Sequence, residues 1–369
     1  MRLRLQFLSA LVWIFQCANI HAESKIVFSE GTVFVYSGQA TEIVGVQHAI
    51  ELERVVVVAQ KSEDQTTYNF EFTDKPLDSA EPNQVAISRS VRQKDMDGAH
   101  KILFRFLQDD PQNLPGLTIF HASKSMMQEL IATGSTAFVF ADGPIGEGGL
   151  FSSTSRKYYR GTLKVIEANA PLDVLVNGVK ITVPTLHTSG HLTVGDLSRE
   201  EDFWLSSDLK NPVIIRAQGG EGNWIQLVRV DDPQPVLVAE QSSAASSITE
   251  GLQGSNCRAM AQGIYFDSGS ATLLAASSPS LKNIAILLKA HPDWSITVEG
   301  HTDNIGSDDD NLDLSKRRAA AVVAALMSQN AISADHLLSK GYGETNPIDS
   351  NDTPVGRAHN RRVELARKC

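Results

Sequence analysis

The feature that most constrains the fold is a change of residue pattern near residue 232. Before it, short runs of β-branched and aromatic residues alternate with turn residues, which is typical of β-strands. After it, strand-like and helix-like segments alternate, which indicates an α/β fold. The stretch at 231–235 breaks regular structure, and the polar stretch at 240–247 is typical of a linker. The 369 residues therefore predict two domains, at 24–232 and 257–369, joined by a linker at 233–256.

The first half contains two predicted hairpins and one predicted helix. Asn177-Gly178 separates two apolar runs, and both positions of such a tight turn need a positive φ. A second hairpin is predicted between 203–205 and 213–215. Ser123 is placed to cap a helix that Gly134 ends. The other predicted strands are 32–36, 55–59, 68–72, 103–107, 136–140, 162–167 and 223–230.

These strands predict a mainly β domain, either a sandwich or an open barrel-like sheet. An outer-membrane β-barrel is the alternative, in which strands run about ten residues and aromatic girdles flank the apolar band. The predicted runs are shorter, and aromatic residues make up only 7% of the chain. Both observations favour a soluble β-rich domain.

Residues 1–22 are typical of a secretory signal peptide. Arg2 and Arg4 precede an apolar run at 5–15, and Ala22 offers a small residue for cleavage. The run is too short to span a membrane comfortably, although an uncleaved anchor remains the alternative. We therefore expect an exported protein.

The overall charge limits the classes of partner. The chain carries a net charge of −10 at pH 7. Binding to nucleic acid requires a basic surface, so we expect no nucleic-acid partner.

Three cysteines are present, and Cys17 leaves the protein if the leader is cleaved. Cys257 and Cys369 then remain at the two ends of the predicted α/β domain, in a compartment that favours disulfides. A bond between them would hold the first and last strands of that domain together. Two free thiols are the alternative, since pairing needs Cα atoms within about 7 Å.

The second half predicts strands and helices in alternation. Ser278 is the expected cap of a helix with Pro279 in its first turn. The buried face of that helix is predicted to contain Leu281, Ile284, Leu287 and Leu288. The other predicted elements are strands at 263–266, 294–300 and 361–367, a helix at 311–329 and a helical turn at 333–338.

A long series of motifs occurs in this half, in a fixed order. They are Ile264-Tyr265-Phe266-Asp267, Val298-Glu299-Gly300-His301-Thr302-Asp303, Gly306, Asn311, Leu314-Ser315-Lys316-Arg317-Arg318-Ala319, Gly341-Tyr342-Gly343-Glu344, Pro347 and Asn360-Arg361-Arg362-Val363-Glu364. By these motifs, residues 263–368 resemble the OmpA-like peptidoglycan-binding domain family. The resemblance implies an α/β sandwich that binds the peptidoglycan stem peptide non-covalently, through diaminopimelate in Gram-negative walls.

The residues themselves fit such a ligand. The far end of diaminopimelate carries an ammonium and a carboxylate on one carbon, so its site needs an anion beside a planar cation. Asp303 follows a predicted strand, and Arg318 lies about two turns into the next predicted helix. An arginine fork can bond both carboxylate oxygens. Asn311 is a candidate cap for that helix, and the resemblance makes Asp303 and Arg318 the ligand pair.

Four further residues are candidates for the same site. Asp267 ends a predicted strand, and Thr302 and Leu314 belong to the motifs quoted above. Arg361 shares strand parity with apolar residues, so it needs a partner, either the ligand or a structural acid. The alternatives for the main pair are structural: Asp303 would only cap a turn, and Arg318 would be solvated.

The densest charges are assigned no chemistry. The acidic run at 308–310 fits a helix start better than a calcium loop, because the twelve-residue ligand spacing is missing. No nucleophile elbow, phosphate loop or paired-histidine metalloprotease motif occurs. We therefore expect no catalytic activity, no cofactor and no metal.

Together with the leader, the resemblance predicts an exported envelope protein of a Gram-negative bacterium, in the periplasm or at the outer membrane. It would tether the outer membrane, or an envelope partner of the β-rich domain, to peptidoglycan. One alternative is a wall-active enzyme that the C-terminal domain delivers. The other is an outer-membrane β-barrel with a wall-binding tail.

Overall fold

The structure is a computed structural model that describes residues 26, 29–40, 50–74, 83–103, 112–142, 157–219, 223–232 and 243–369. The predicted signal peptide and residues 233–242 of the predicted linker lie outside these ranges. We refer to the described residues up to 232 as the N-terminal region and to 243–369 as the C-terminal region.

The N-terminal region is mostly β, as the sequence predicts. Its strands form one sheet in the order β4-β3-β2-β1-β14-β13-β12-β11-β8-β7-β5-β6, with the β9–β10 hairpin attached through β14. Bridges Ser90–Asn113 and His121–Val213 connect parts of the chain near the ends of this sheet, which is therefore nearly closed. The strands are β1 Val33–Ala40, β2 Ile50–Lys61, β3 Gln65–Asp74, β4 Asn83–Arg92, β5 Lys101–Leu103, β6 Thr118–Ile119, β7 Ser135–Asp142, β8 Lys157–Glu167, β9 Leu172–Val176, β10 Val179–Val183, β11 Thr185–Val194, β12 Leu197–Ser206, β13 Ile214–Gly219 and β14 Trp224–Asp231.

Local signals in this region are confirmed in detail. Asn177 and Gly178 have φ values of 50° and 74° in the β9–β10 turn. The hairpin of β12 and β13 also forms. Helix α1 spans Gln93–Gly98, and helix α2 spans Lys124–Thr133. The Ser123 hydroxyl accepts a hydrogen bond from the amide of Met126, and Gly134 ends α2 in the left-handed conformation.

The predicted strands are too short. β2 has 12 residues, β8 has 11 and β3 has 10. The prediction that the runs stay below about ten residues is therefore wrong for these strands. The reason is that polar residues at the strand ends extend the ladders without adding to the apolar runs on which the prediction depended.

The C-terminal region is α/β, also as predicted. Its four-stranded sheet has the order β15-β18-β16-β17, in which β16 and β17 are parallel and the other pairs antiparallel. The helices cover apolar residues such as Ile296, Val298 and Leu365 of this sheet. The elements are α3 Ser243–Gln253, β15 Arg258–Met260, α4 Ser278–Ala290, β16 Ile296–Gly300, α5 Asp308–Asn330, β17 Leu337–Gly341, α6 Pro354–Asn360 and β18 Val363–Arg367.

Several predictions here need correction. The strand at 263–266 is wrong: Phe266 forms only an isolated bridge, with Leu273, and the amide of Tyr265 donates to the Ser277 hydroxyl. Ser278 is not a cap: it is the first residue of α4 and follows Ser277. The predicted helical turn at 333–338 shortens to Ala334–His336, and β17 begins at Leu337.

The ends of this region are tied together. Cys257 and Cys369 form a disulfide with a Cα–Cα distance of 5.8 Å, beside β15 and β18. Helix α3, inside the predicted linker, packs Ile248 and Leu252 against the same apolar core. Among the described helices, none has the length and apolar character needed to cross a bilayer.

One face of the N-terminal sheet packs against the C-terminal region. Tyr265 donates a hydrogen bond to Asp231, and Lys180 pairs with Asp349 at 2.5 Å. The Gln262 amide also donates to the carbonyl of Asn177. These polar contacts surround one shared apolar cluster of Val33, Val35, Val55, Leu175, Val228, Tyr265, Leu274, Val355 and Ala358.

Candidate functional site

Asp303 lies directly after β16 on a backbone that neighbouring segments hold. The amide of Thr302 donates to the carbonyl of Gly343, and the amide of His301 donates to that of Arg362. The Asp303 carboxylate accepts from the amide of Ile305 at 3.1 Å, so the aspartate does cap a turn. It is nevertheless buried, with a second interaction to a cation described below.

Arg318 lies on α5 and is also buried. Its guanidinium donates to the carbonyls of Ser270 at 2.8 Å and Asp267 at 3.4 Å, and it lies over the Phe266 ring at 5.0 Å from the centroid. These contacts exclude the solvated alternative for Arg318. That description fits its neighbour Arg317, which is exposed and pairs with Asp313 of the same helix.

Burial lowers the pKa of Arg318 to about 10. The carboxylate of Glu53 opposes this shift more than that of Asp303 does, while the charge of Arg361 adds to it. A pKa near 10 still leaves the guanidinium charged at neutral pH. Arg318 is thus a buried cation. Its two carbonyl partners use only part of the guanidinium, which leaves one further donor edge.

Arg361 joins the acids of this site. It lies between α6 and β18 and bonds the Asp303 carboxylate at 2.6 Å. Its other terminal nitrogen contacts the Glu53 carboxylate at 2.8 Å and the Ser37 hydroxyl at 2.8 Å. The prediction that this arginine needs a partner is therefore satisfied by acids from both regions of the chain.

Sequence reasoning missed Glu53 and Ser37, which come from β2 and β1. A signal for Glu53 was present, however. It shares strand parity with Val55 and Val57, which pack into the shared apolar cluster. A charged residue on the apolar side of a strand needs a partner, the same argument that singled out Arg361.

Asn311 does not cap α5, because the helix begins earlier than predicted. Ser307 is the cap, and its hydroxyl accepts from the amide of Asp310 at 3.2 Å. The acidic run therefore forms the first turn of the helix, where negative charge is favourable. The buried amide of Asn311 instead donates to Glu344 at 2.6 Å, which holds the loop after β17 against α5. The early helix start also places Arg318 nearly three turns into α5, not two.

The remaining candidates have different surroundings. Asp267 presents its main-chain carbonyl to Arg318. The hydroxyl of Thr302 is buried and has no hydrogen-bond partner among the described residues. Leu314 is half-buried on α5.

A small cavity lies beside Arg318 and Arg361. Its free volume is about 30 Å³. That is room for a water molecule or two. The lining residues include Glu53, Arg318 and Arg361, with Arg229 and Tyr265 on the side of the shared apolar cluster.

A second buried group of charges lies close by, on β16 and β18. Glu299, His301 and Glu364 present potential metal-ligand atoms within 4.8 Å of one another. However, Arg258 binds Glu299, and Arg362 binds Glu364 at 2.6 Å, so arginines already balance both carboxylates. Burial lowers the pKa of His301 to about 4, which keeps the ring neutral at neutral pH. The arrangement supports a structural ion-pair network better than a metal site.

The C-terminal region matches a known protein family. The model of the OmpA family matches residues 265–361. This part of the chain is an OmpA family domain. The match includes Asp303, Asn311, Arg318 and Arg361, and it excludes the whole N-terminal sheet.

Curated relatives match part of this chain. The chain is 42% identical over 106 residues to the probable lipoprotein YiaD of Escherichia coli, covering 29% of this chain and 48% of YiaD. It is 44% identical over 102 residues to the peptidoglycan-binding protein ArfA of Mycobacterium tuberculosis, covering 28% of this chain and 31% of ArfA. The chain thus spans less than half the length of these relatives.

A solved structure is also similar to part of this chain. It is the peptidoglycan-associated lipoprotein from Burkholderia pseudomallei, at 30% identity, covering 28% of this chain and 88% of that chain with a TM-score of 0.27.

Proposed function

We propose that this protein binds peptidoglycan non-covalently through its OmpA family domain and anchors itself in the cell envelope. The observation that carries the proposal is that Asp303 and Arg318, a buried anion and a buried planar cation, both lie in the matched region. Arg318 lines one cavity together with Arg361, the partner of Asp303. The name of ArfA, a peptidoglycan-binding protein, supports it.

The ligand is the stem peptide of the wall, recognised through the amino-acid head of diaminopimelate. Its ammonium pairs with the carboxylate of Asp303, and its carboxylate takes the free donor edge of Arg318. A bidentate arginine–carboxylate pair fixes the orientation of the head as well as its charge. The low exposure of both groups strengthens these interactions, since water screens them less.

In the cell, the protein is exported and works in the periplasm or at the outer membrane of a Gram-negative bacterium. The predicted signal peptide supports export, and the relative YiaD is named a lipoprotein. The N-terminal region contacts an outer-membrane or envelope partner, so the whole molecule tethers that partner to the wall. It performs no catalysis, and sacculi incubated with it should release no fragments.

Retention on purified sacculi tests the proposal. Wild-type protein should co-sediment with sacculi, whereas Asp303→Ala and Arg318→Ala should lose about tenfold or more in affinity, because each leaves one ligand charge unpaired. Arg317→Ala is the matched control, since it removes an exposed arginine from the adjacent position. Equal retention of all four proteins would show that this pair does not form the site.

A further inference from the structure

The cavity lined by Arg318 and Arg361 is closed by residues of the N-terminal region. Glu53 of β2 reaches across and places its carboxylate 2.8 Å from Arg361. Ser37 of β1 bonds the same guanidinium nitrogen at 2.8 Å. The edge of the OmpA family domain that the proposed ligand would approach is thus covered by two strands of the same chain.

Glu53 carries a carboxylate, which is the same negatively charged group that the proposed ligand would present to this site. Arg318 and Arg361 offer two guanidinium groups, and Asp303 supplies one carboxylate to Arg361. Glu53 supplies the second, and its field acts on Arg318 more strongly than that of Asp303. Glu53 thus contacts Arg361 and adds negative charge near Arg318, the arginine proposed to bind the stem-peptide carboxylate, so that carboxylate would compete with Glu53 for this pair of cations.

The space is also too small for a ligand. About 30 Å³ is free, whereas sites for small molecules usually enclose about 300–1,000 Å³. An amino-acid head cannot enter until Glu53 and its strand move away.

The closure extends beyond the cavity. Around it, Tyr265 donates to Asp231, Arg229 lies over the Tyr265 ring at 5.0 Å from its centroid, and the shared apolar cluster excludes water. At the margin, Lys180 of β10 pairs with Asp349. A ligand must therefore compete with a whole interface, so its apparent affinity falls in proportion to the fraction of open molecules.

We propose that the N-terminal region is an intramolecular inhibitor of wall binding, in which Glu53 occupies the place of the ligand carboxylate until the two regions separate. This inference rests on the proposed function of the OmpA family domain. A composite site, in which Glu53 binds the ligand directly, is the opposing arrangement.

Two substitutions open the interface by different routes. Glu53→Ala removes the competing carboxylate inside the cavity. Lys180→Glu places a second negative charge against Asp349, outside the residues that line the cavity. Glu63→Ala is the control for the first, because Glu63 is an exposed glutamate in the turn after β2.

Affinity for purified sacculi, measured by co-sedimentation of the full chain over a range of sacculus concentrations, separates the outcomes. We expect Glu53→Ala and Lys180→Glu each to bind on the order of tenfold more tightly than wild type, as a shift toward the open state requires. Glu63→Ala should match wild type. The double variant that combines Glu53→Ala with Arg318→Ala should lose the gain in affinity for sacculi.

The opposite results are equally clear. Weaker binding by Glu53→Ala would assign Glu53 to a composite site and overturn the inhibition. Unchanged binding by both opening variants would overturn it too, while loss of binding in Arg318→Ala would leave the proposed function standing. If no protein binds, including both opening variants, the proposed function fails together with this inference.

Discussion

Arg361 is the residue on which both regions of the molecule depend. It bonds Asp303 in the OmpA family domain and Glu53 in the N-terminal sheet, and its side chain is only 16% exposed. Removing one partner of a partly buried charge pair leaves the other charge desolvated, which costs more than the pair itself contributes. Here one guanidinium serves two acids, so its loss affects both.

Arg361→Ala should therefore lower the free energy of unfolding by about 2–4 kcal/mol. Urea denaturation followed by circular dichroism measures this, with Arg317→Ala as the control for loss of an exposed arginine. A change within about 0.5 kcal/mol of that control, which is typical of surface substitutions, would show that the pairing is not structural.

His121 is a second residue with a predictable effect, because it is buried beside the Tyr68 hydroxyl. Burial lowers its pKa to about 4, from an ordinary value near 6.5. Between these values the unfolded chain binds a proton that the folded chain excludes, so stability falls as the pH drops. Above about pH 6.5 neither state is protonated and the effect vanishes.

We expect the free energy of unfolding to fall by about 2–3 kcal/mol through His121 alone between pH 6.5 and pH 4. His301 contributes in the same direction, since burial lowers its pKa to about 4 as well. Urea denaturation at a series of pH values gives the free energy of unfolding at each pH. This free energy should depend less steeply on pH in His121→Gln than in wild type. If the free energy of unfolding depends on pH equally steeply in both proteins, His121 is not the group responsible.

At the scale of elements, the disulfide holds the first and last strands of the C-terminal sheet. β15 and β18 pair through only three residues each, and the bond between Cys257 and Cys369 lies at the end of that ladder. The sequence separation of 112 residues makes the closed loop long. In the chain-entropy model, such a loop restricts the unfolded state strongly.

Replacing both cysteines, as Cys257→Ser with Cys369→Ser, should lower stability by up to about 4–5 kcal/mol on that model. Urea denaturation should give the same free energy of unfolding for this variant as for wild type in reducing buffer. If reduction leaves the wild-type midpoint unchanged, the bond either does not form or does not constrain the unfolded chain.

Elements specified by local chemistry could be predicted from the sequence. The Asn177-Gly178 turn and the Ser123–Gly134 limits of α2 depend on residues within a few positions of one another. The start of α5 could not be fixed in this way, because Ser307 and Asn311 are both good caps and only tertiary contacts choose between them. β17 was missed because its three central residues are exposed and two of them, Ser339 and Lys340, are polar, so it lacks an apolar strand pattern.

At the scale of the whole molecule, the resemblance located Asp303 and Arg318 but could not show what covers them. The contact between Arg361 and Ser37 joins residues 324 positions apart, and no local pattern specifies such a pairing. Strand parity places Glu53 on the apolar side of β2, but it does not indicate which residue pairs with it. The closed arrangement of the two regions is thus a property of the assembled chain.

Binding of a soluble muropeptide that contains diaminopimelate, measured by titration calorimetry, tests the central claim most directly. Wild type and Arg318→Ala should be compared, each with and without Glu53→Ala. The account predicts measurable binding that tightens with Glu53→Ala and weakens by about thirtyfold or more whenever Arg318 is absent, because a charge-assisted bidentate pair is lost. Equal affinity with and without Arg318 would contradict it.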